Sequence, residues 1–406
     1  MTVFRTLIKH FGGSTDPGGD FVMTLEPYRA RWMTDDVVAF QDIARRFFER
    51  EFVPHLEGWR AQGCIDRNLW YKAGELGLLG ASMPEEFGGG GSKAFMAAIL
   101  LEQGRAGDAA WGISVQNYVS HYILAYGTEE QKARWLPGLG SGQTVAAIAM
   151  TEPGAGSDLK QLKTVANAVQ GGYVLNGQKT FISNGQSADL VCVAAKTDLA
   201  GGSRGISLLM VEVKGADGFL RGKPLKKIGL QAADTSELFF EDVFVPQENL
   251  LGQEEGQGFR QLMTQLPWER LSIAIRCVGL AEYALDQTIA HVTARKAFGG
   301  TLFDLQNTQF KLAEAKTKLE SMRSFVDSCL DRLVLDQLDI ATAAMCKLHC
   351  SQAINEIVDE CLQLHGGYGF MEEYGIARLY GDVRAQKIYG GTSEVMKLLV
   401  ARSLIA

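Results

Sequence analysis

The distribution of proline constrains the fold of this chain more than any other feature of its sequence. Pro267 is the last of nine prolines, so residues 268–406 contain none. Within that stretch apolar residues recur at helical spacing, for example through residues 310–333 and 341–364. Because proline interrupts helix interiors, a proline-free stretch with this spacing predicts a long helical bundle.

The remainder of the chain separates into a helical unit and a β unit. Residues 34–135 have mainly helical periodicity, interrupted by a glycine-rich loop at 84–91. Between about 148 and 250, short β-branched runs such as 190–195 alternate with Gly, Asp and Asn turns, which is typical of a compact β unit. A chain of 406 residues is also too long for one core. We therefore predict an N-terminal extension (1–30), a helical domain (31–147), a β-domain (148–260) and a helical bundle (261–406).

Composition excludes several classes of function. The net charge of −7 provides no basic field for nucleic acid or an anionic membrane. No apolar run approaches the roughly 20 residues that span a bilayer, and no secretory signal is recognised. We expect a soluble protein of a bacterial cytoplasm. Residues 1–22, with Arg5, Lys9 and His10 ahead of the first acid, weakly resemble an organelle presequence and leave the mitochondrial matrix as the alternative.

The seven cysteines predict buried, reduced thiols rather than disulfides, because their number is odd and they lie in apolar, periodic segments. Cys346, His349 and Cys350 place two sulfurs and an imidazole within about one helical turn, which raises the question of a metal site. No second ligand pair has matching spacing, so we favour core packing and predict no metal.

The segment at 148–158 is hard to explain by packing alone. A small apolar strand leads into a turn in which Gly154 and Gly156 allow the backbone to approach a ligand closely, while Pro153 stiffens the chain. Short polar side chains, including Ser157, supply hydrogen-bonding groups. In isolation the segment would be an ordinary surface turn after a strand.

Four further motifs follow this turn in a fixed order. They read Lys-Thr-Phe-Ile-Ser-Asn-Gly at 179–185, Arg-Lys-Ala-Phe-Gly at 295–299, Gln-Leu-His-Gly-Gly-Tyr-Gly at 363–369 and Ile-Tyr-Gly-Gly-Thr-Ser-Glu at 388–394. Together with 148–158, the set resembles the acyl-CoA dehydrogenase family. The resemblance implies a mainly α fold with a central β domain: an N-terminal helical domain, a middle β-barrel domain and a C-terminal four-helix bundle. It also implies a homotetramer with FAD near its subunit contacts, an acyl-CoA substrate and electron-transfer flavoprotein as the electron acceptor.

The resemblance raises the question of which residue is the catalytic base. In many members of the family a glutamate at the position of Gly390 removes the α-proton while the β-hydrogen leaves as hydride to flavin N5, and a glycine cannot accept a proton. The long-chain and isovaleryl branches imply Glu269 instead, which Pro267 is expected to place near the start of a helix. An acid that only complements the helix dipole is the ordinary alternative. The combination of Glu269 with a glycine at 390 favours catalysis, and the Gly390 N–H with an FAD ribityl hydroxyl would then polarise the thioester carbonyl.

The remaining cofactor contacts are implied by position in the motifs. They are Met150, Thr151, Phe181 and Ser183 at the flavin ring, Arg295, Phe298, Gln306, Gln363, Gly366 and Gly367 at the pyrophosphate and ADP, and Thr392 and Glu394 as the last nucleotide contacts. Phe181 replaces a common tryptophan, Ser183 a threonine, and Glu394 a frequent glutamine. The ordinary alternatives are a core aromatic for Phe181 and a solvated helix end for Arg295.

On the substrate side, the resemblance implies that Ser157 contacts the CoA arm, that Arg270 lies near the base and that Gly391 allows a close backbone approach. A surface salt bridge is the alternative role for Arg270. The leading hypothesis is an FAD-dependent dehydrogenase that converts a medium-to-long-chain acyl-CoA to trans-2-enoyl-CoA. The alternatives are a short branched-chain, isovaleryl-type dehydrogenase, and a flavin-binding relative without dehydrogenase activity, such as an oxidase or a silent subunit.

Overall fold

A computed structural model describes residues 29–405 and has a β unit between two helical regions. The N-terminal region consists of α1 (Asp35–Phe47), α2 (Leu56–Gln62), α3 (Arg67–Glu75), α4 (Lys93–Arg105), α5 (Ile113–Tyr126) and α6 (Glu129–Ser141). The predicted glycine-rich break at 84–91 is present between α3 and α4. The presequence-like segment at 1–22 lies outside the described residues.

The central unit is a mixed seven-stranded sheet. Its strands are β1 (Ala146–Ala149), β2 (Val165–Val169), β3 (Gly172–Ile182), β4 (Leu190–Lys196), β5 (Ile206–Glu212), β6 (Phe219–Arg221) and β7 (Ser236–Pro246). Pairing runs β1-β4-β2-β3-β7-β6, and β5 pairs with β4. Because β1, β5 and β6 each pair with a single strand, the β unit is a curled sheet with open edges rather than a closed barrel. β1 and β4 pair in parallel, which places Cys192 opposite Ile148.

The C-terminal region is the predicted helical bundle. It contains α7 (Gly258–Ala294), the short strands β8 (Lys296–Ala297) and β9 (Gly300–Thr301), α8 (Gln306–Leu333), α9 (Ile340–His365), α10 (Gly375–Arg384) and α11 (Ser393–Ser403). The helical-β-helical architecture implied by the resemblance is thereby confirmed. No helix among residues 29–405 is long and apolar enough to cross a membrane.

One prediction about α7 is wrong. This helix does not begin at Pro267: it begins at Gly258 and continues through the proline, because apolar residues such as Phe259 and Leu262 extend the helical spacing upstream. The proline removes one backbone hydrogen bond and costs about 3 kcal/mol, which the burial of the surrounding helix offsets. Glu269 therefore lies inside a long helix, beyond the first turn in which the helix dipole would stabilise it.

Close packing of α7 against α4 fixes the position of this helix in the core. A Cβ added to Gly104 of α4 would lie 2.6 Å from the Arg276 carbonyl oxygen, and one added to Gly279 would lie 2.3 Å from the Leu101 carbonyl oxygen. Larger residues at these two glycines would force the backbones apart. As a result, the backbones of α7 and α4 lie in close contact where the two helices cross.

The cysteines are free thiols. Six of the seven are buried and Cys64 is half-buried, so the prediction of reduced thiols in the core is confirmed for those six. Cys346 and Cys350 both face the interior of the bundle. Residues 29–405 contain no group of three His, Cys, Asp or Glu side chains arranged to hold a metal ion.

Candidate active site

Glu269 is a buried carboxyl group with a single side-chain hydrogen-bond partner. It is 5% exposed, and the Tyr122 hydroxyl donates a 2.8 Å hydrogen bond to its Oε1. Burial raises the pKa of Glu269 to about 7, against the opposing effects of the Tyr122 hydrogen bond and the charge of Arg270. A carboxyl group with this pKa can accept a proton near neutral pH, which is what a general base requires.

The neighbourhood of Glu269 joins all three parts of the fold. Tyr122 belongs to α5 in the N-terminal region, and Glu269 to α7 in the bundle. Burial raises the pKa of the Cys192 thiol on β4 to about 12, and the nearby Glu269 carboxylate contributes to this rise. The carboxyl group therefore faces the junction of the sheet with both helical regions.

Gly390 lies against α7, one helical turn beyond Glu269. A Cβ at position 390 would be 2.4 Å from Ile273 Cδ1, and Gly390 has a φ of 66°. Glycine therefore allows both the left-handed backbone and the close approach to Ile273. The next residue, Gly391, has a φ of 98° and its carbonyl oxygen accepts a 2.7 Å hydrogen bond from Lys347 Nζ.

Two buried cations lie in this part of the site: Lys347, which bonds to Gly391, and Arg270, whose charge acts on Lys347. Arg270 is 5% exposed and its Nε has no hydrogen-bond partner, so the surface salt bridge considered for it is wrong. Lys347 is fully buried, and burial lowers its pKa to about 8, with a smaller contribution from the charge of Arg270. The positive charge at this position favours an anionic or strongly polarised group near Gly391.

The turn after β1 is held in place by a buried ion pair. Lys179 Nζ donates to Glu152 Oε1 at 2.8 Å and to the carbonyl oxygens of Met150 and Ala194 at 3.2 and 2.7 Å. Glu152 also accepts backbone hydrogen bonds from Lys163 and Thr164. This network fixes the backbone that presents Met150 and the residue after it.

Backbone hydrogen bonding brings Met150 and Thr151 together with the end of β3. The Thr180 N–H donates to the Thr151 carbonyl oxygen at 2.9 Å, and Phe181 and Ser183 follow immediately. Phe181 is 68% exposed with a φ of 58°, so it is not a core aromatic. A left-handed conformation is uncommon for a bulky residue and is found mainly where function or the surroundings impose it. Ser157 is exposed farther along the same turn.

Six of the predicted cofactor residues form a separate cluster. They are Arg295, Phe298, Gln306, Gln363, Gly366 and Gly367, all of them exposed. The Arg295 guanidinium lies over the Tyr368 ring at 5.3 Å, which joins the C-terminal ends of α7 and α9. Arg295 follows Glu269 by 26 residues, or about 39 Å along a straight helix. Within one chain, the structure does not bring this distal cluster to Glu269.

Thr392 and Glu394 lie at the start of α11, directly after the glycine pair. The Thr392 side chain caps this helix by accepting from the Val395 N–H. Ser393, between them, has a buried hydroxyl without a hydrogen-bond partner. The structure thus brings Thr392 and Glu394 to the Gly390 side of the site.

These features are compatible with a bound FAD. An aromatic ring is exposed at Phe181, an unpaired hydroxyl is buried at Ser393, and no atom lies within 4 Å of a Cβ built on Gly366 or Gly367. The exposed Arg295 supplies a fixed charge suited to a pyrophosphate.

Three models of the acyl-CoA dehydrogenase family match this chain in succession. The N-terminal domain model covers residues 34–143, the middle domain model 147–243 and the C-terminal domain model 256–405. The chain belongs to the acyl-CoA dehydrogenase family. It is accordingly a flavin-dependent oxidoreductase whose cofactor is FAD.

Individual members of the acyl-CoA dehydrogenase family match nearly the whole chain. The long-chain specific acyl-CoA dehydrogenase of Sus scrofa mitochondria is 46% identical over 370 residues, which are 90% of this chain and 86% of that protein. The isovaleryl-CoA dehydrogenase of Oryza sativa subsp. japonica is 36% identical over 370 residues, 90% of each chain. The crystal structure of an acyl-CoA dehydrogenase from Geobacillus kaustophilus has a TM-score of 0.90 at 44% identity, covering 93% of this chain and all of that one.

Several residues of the site were not found from the sequence. Tyr122 contacts Glu269, Ile273 lies against Gly390 and Lys347 holds Gly391, yet none belongs to a motif identified above. For Ile273 the helical spacing from Glu269 was a usable signal, because residues four apart share a helix face. For Tyr122 and Lys347 the sequence offered none, since their partners lie on other elements.

Proposed function

We propose that this acyl-CoA dehydrogenase family member removes the α-proton of a medium-to-long-chain acyl-CoA with Glu269, forming a trans-2-enoyl-CoA. The observation that carries the proposal is the buried Glu269 carboxyl, with a pKa of about 7, beside a glycine at 390 that has no side chain to serve as base. When bound, FAD would supply the acceptor for the hydride that leaves the β-carbon. Together with the α-proton taken by Glu269, the substrate thus loses two electrons and two protons as the α,β double bond forms.

The protein groups have separate tasks in this reaction. Glu269 takes the α-proton, and Tyr122 holds its Oε1 in place through the 2.8 Å hydrogen bond. The Gly390 N–H would donate to the thioester carbonyl and stabilise the negative charge that develops there. Arg270 and Lys347 add positive charge on the same side, which favours an enolate-like transition state over the neutral thioester.

Similarity to known enzymes supports a medium-to-long acyl chain as the substrate. The Sus scrofa long-chain enzyme is more similar to this chain than the isovaleryl enzyme of Oryza sativa, at 46% against 36% identity. The isovaleryl-type activity is the second candidate, favoured by the match to the Oryza sativa enzyme across 90% of each chain.

Anaerobic mixing tests the reaction and its length class together. The purified holoprotein would be mixed with butyryl-, isovaleryl-, octanoyl- and palmitoyl-CoA while the absorbance of oxidised flavin is followed. Bleaching by octanoyl- or palmitoyl-CoA, with formation of the 2-enoyl product, is the expected result. Bleaching by isovaleryl-CoA alone would establish the second candidate, and no bleaching by any thioester would refute the dehydrogenase proposal. Bleaching followed by rapid reoxidation in air would indicate an oxidase.

A second copy of the chain completes the flavin site in this proposal. The distal cluster carries the residues implied for pyrophosphate and ADP, yet Arg295 follows Glu269 by about 39 Å of helix. Phe298 in this cluster is 93% exposed, which fits a surface that another copy covers. We therefore assign the distal cluster to the cofactor of a neighbouring subunit in a homotetramer, with electron-transfer flavoprotein reoxidising the enzyme.

Complementation between two inactive variants tests this arrangement. Glu269→Gln and Arg295→Met would be produced separately and then together, with different affinity tags. A shared site predicts that mixed oligomers recover activity, because some sites combine an intact Glu269 with an intact Arg295 from another chain. Mixed oligomers that are purified through both tags but remain inactive would contradict the assignment.

A further inference from the structure

The interface between α5 and α7 contains a row of polar contacts leading away from the base. Tyr122 bonds to Glu269, the Tyr118 hydroxyl bonds to Ser272 Oγ, and Arg276 Nη1 donates to Ser114 Oγ at 3.3 Å. The contacts move backward along α5 as they move forward along α7, so the two helices are antiparallel here. At the end farthest from Glu269, this row terminates at Arg276.

The Arg276 guanidinium is buried with few hydrogen-bond partners. Arg276 is 4% exposed, and its Nη2 donates to the Tyr389 hydroxyl at 3.3 Å. The Tyr389 hydroxyl in turn donates to Gln386 Oε1 at 2.6 Å, so it faces Arg276 as an acceptor. Arg276 Nε has no hydrogen-bond partner, and among the described residues the Arg276 guanidinium forms no salt bridge.

Asp108 is the nearby acid, but its oxygens are committed elsewhere. They accept hydrogen bonds from Gln103 Nε2 and from the backbone N–H groups of Ala110 and Trp111. Burial raises the pKa of Asp108, which these hydrogen bonds and the charge of Arg276 oppose. Asp108 thus interacts with Arg276 only at longer range. A buried cation with neutral contacts and a free N–H carries a desolvation penalty that a bound anion would offset.

Arg276 lies on the same helix as Glu269, the residue proposed to contact the α-carbon of the substrate. Glu269, Ile273 and Arg276 are four and three residues apart, so they share one face of α7. Seven residues separate the base from the guanidinium, or about 10 Å along the helix. This is within reach of the far end of a medium-length acyl chain whose α-carbon lies at Glu269.

We propose that Arg276 binds a carboxylate at the far end of the acyl chain, so that the enzyme prefers medium-length dicarboxylic acyl-CoAs to unsubstituted ones. The inference rests on the proposed function, because it places the α-carbon at Glu269. The free Nε and the neighbouring Nη donors of Arg276 offer the forked geometry that a carboxylate accepts. An unsubstituted alkyl end would instead be buried against an uncompensated guanidinium, which is unfavourable.

A comparison of substrates with equal chain length tests this inference. Anaerobic flavin reduction would be measured with suberoyl-CoA and octanoyl-CoA, and then with the shorter pair of adipoyl- and hexanoyl-CoA. We expect the wild-type enzyme to prefer the dicarboxylic member of at least one pair by about tenfold or more in kcat/KM, the scale of one charged hydrogen-bonded contact. Equal or better reduction by the unsubstituted members in both pairs would overturn the inference while leaving the dehydrogenase reaction intact. No reduction by any of the four would refute the proposed function instead.

The variant Arg276→Met separates tail binding from a structural role. The ratio of dicarboxylic to unsubstituted kcat/KM should fall at least about tenfold, whereas a purely structural role would lower both values and leave the ratio unchanged. Arg276→Lys, which keeps the charge, should retain part of the ratio and covers the case in which the methionine variant fails to fold. The matched control is Arg260→Met, which removes an exposed arginine from the same helix.

Discussion

The Ile273 Cδ1 lies 2.4 Å from the Cβ position of Gly390, so a side chain at residue 390 would force Ile273 to move. Ile273 is also one helical turn beyond Glu269 on α7. The helix that carries Glu269 therefore also crowds residue 390.

This relationship leads to a prediction about relocating the base. Glu269→Gly with Gly390→Glu should recover little activity, because the new side chain collides with Ile273 and residue 390 has a φ of 66°. Adding Ile273→Ala should raise the flavin-reduction rate of that double variant, since it removes Cδ1. Stopped-flow reduction by octanoyl-CoA would compare the two, and equal rates would show that Ile273 is not the obstacle.

Tyr122→Phe should shift the pH dependence of catalysis. The Tyr122 hydrogen bond lowers the pKa of Glu269, so its loss should raise that pKa above about 7. Because the base must be deprotonated, kcat/KM at pH 7 should fall and recover at higher pH. The acid limb of the kcat/KM profile measures this shift.

Tyr126→Phe is the matched control for this variant. Tyr126 lies one turn farther along α5, and its hydroxyl contacts the Gln261 carbonyl oxygen rather than Glu269. Its profile should keep the wild-type acid limb. An unchanged limb in Tyr122→Phe, or the same shift in both variants, would contradict the role given to Tyr122.

Glu269→Gln should be more stable than the wild type at alkaline pH. The folded-state pKa of Glu269 is about 7 against an ordinary value of 4.5, so the unfolded chain loses this proton at a lower pH than the folded one. The wild type therefore loses folding stability as the pH rises from 4.5 to 7, by roughly 3 kcal/mol in total. The amide does not titrate and avoids this loss.

Thermal unfolding of both holoproteins across pH 5 to 8 would measure the effect. The advantage of Glu269→Gln in Tm should grow between pH 5 and pH 7 and level off above pH 7. A difference in Tm that is independent of pH would mean that Glu269 titrates near its ordinary value.

Lys179→Met should destabilise the turn that presents Met150 and Thr151. The change leaves Glu152 buried without its cation, which typically costs about 3–5 kcal/mol. Glu152→Gln in the same chain should recover part of the loss by removing the unpaired charge. Urea unfolding of the single and double variants tests this, and an additive loss in the double variant would contradict the coupling.

The fold was largely predictable because its signals are periodic. The absence of proline after Pro267 and the helical spacing beyond it predicted the bundle, and the β-branched runs predicted the sheet. The start of α7 was not predictable by the same rules. Proline is common in the first turn of a helix, whereas here apolar residues before Pro267 extend the helix on the N-terminal side of the proline.

The site was predictable only where its residues follow one another in motifs. Glu152 and Lys179 lie in two different motifs, and their pairing inside the protein depends on the register between the β1 turn and β3. Tyr122, Lys347 and Arg276 depend on how α5, α7 and α9 pack, which spacing within a single helix does not encode. Packing between these helices buries Glu269, which raises its pKa, and it buries Arg276 without a charged partner.

Single-turnover reduction of Glu269→Gln tests most directly whether Glu269 is the base. The variant would be purified with its FAD, checked for flavin content against the wild type, and mixed anaerobically with the acyl-CoA that reduces the wild type fastest. We expect FAD to remain bound and flavin reduction to slow by at least about a hundredfold, since a positioned base contributes that much or more. Reduction at the wild-type rate would contradict the assignment of Glu269 as the base.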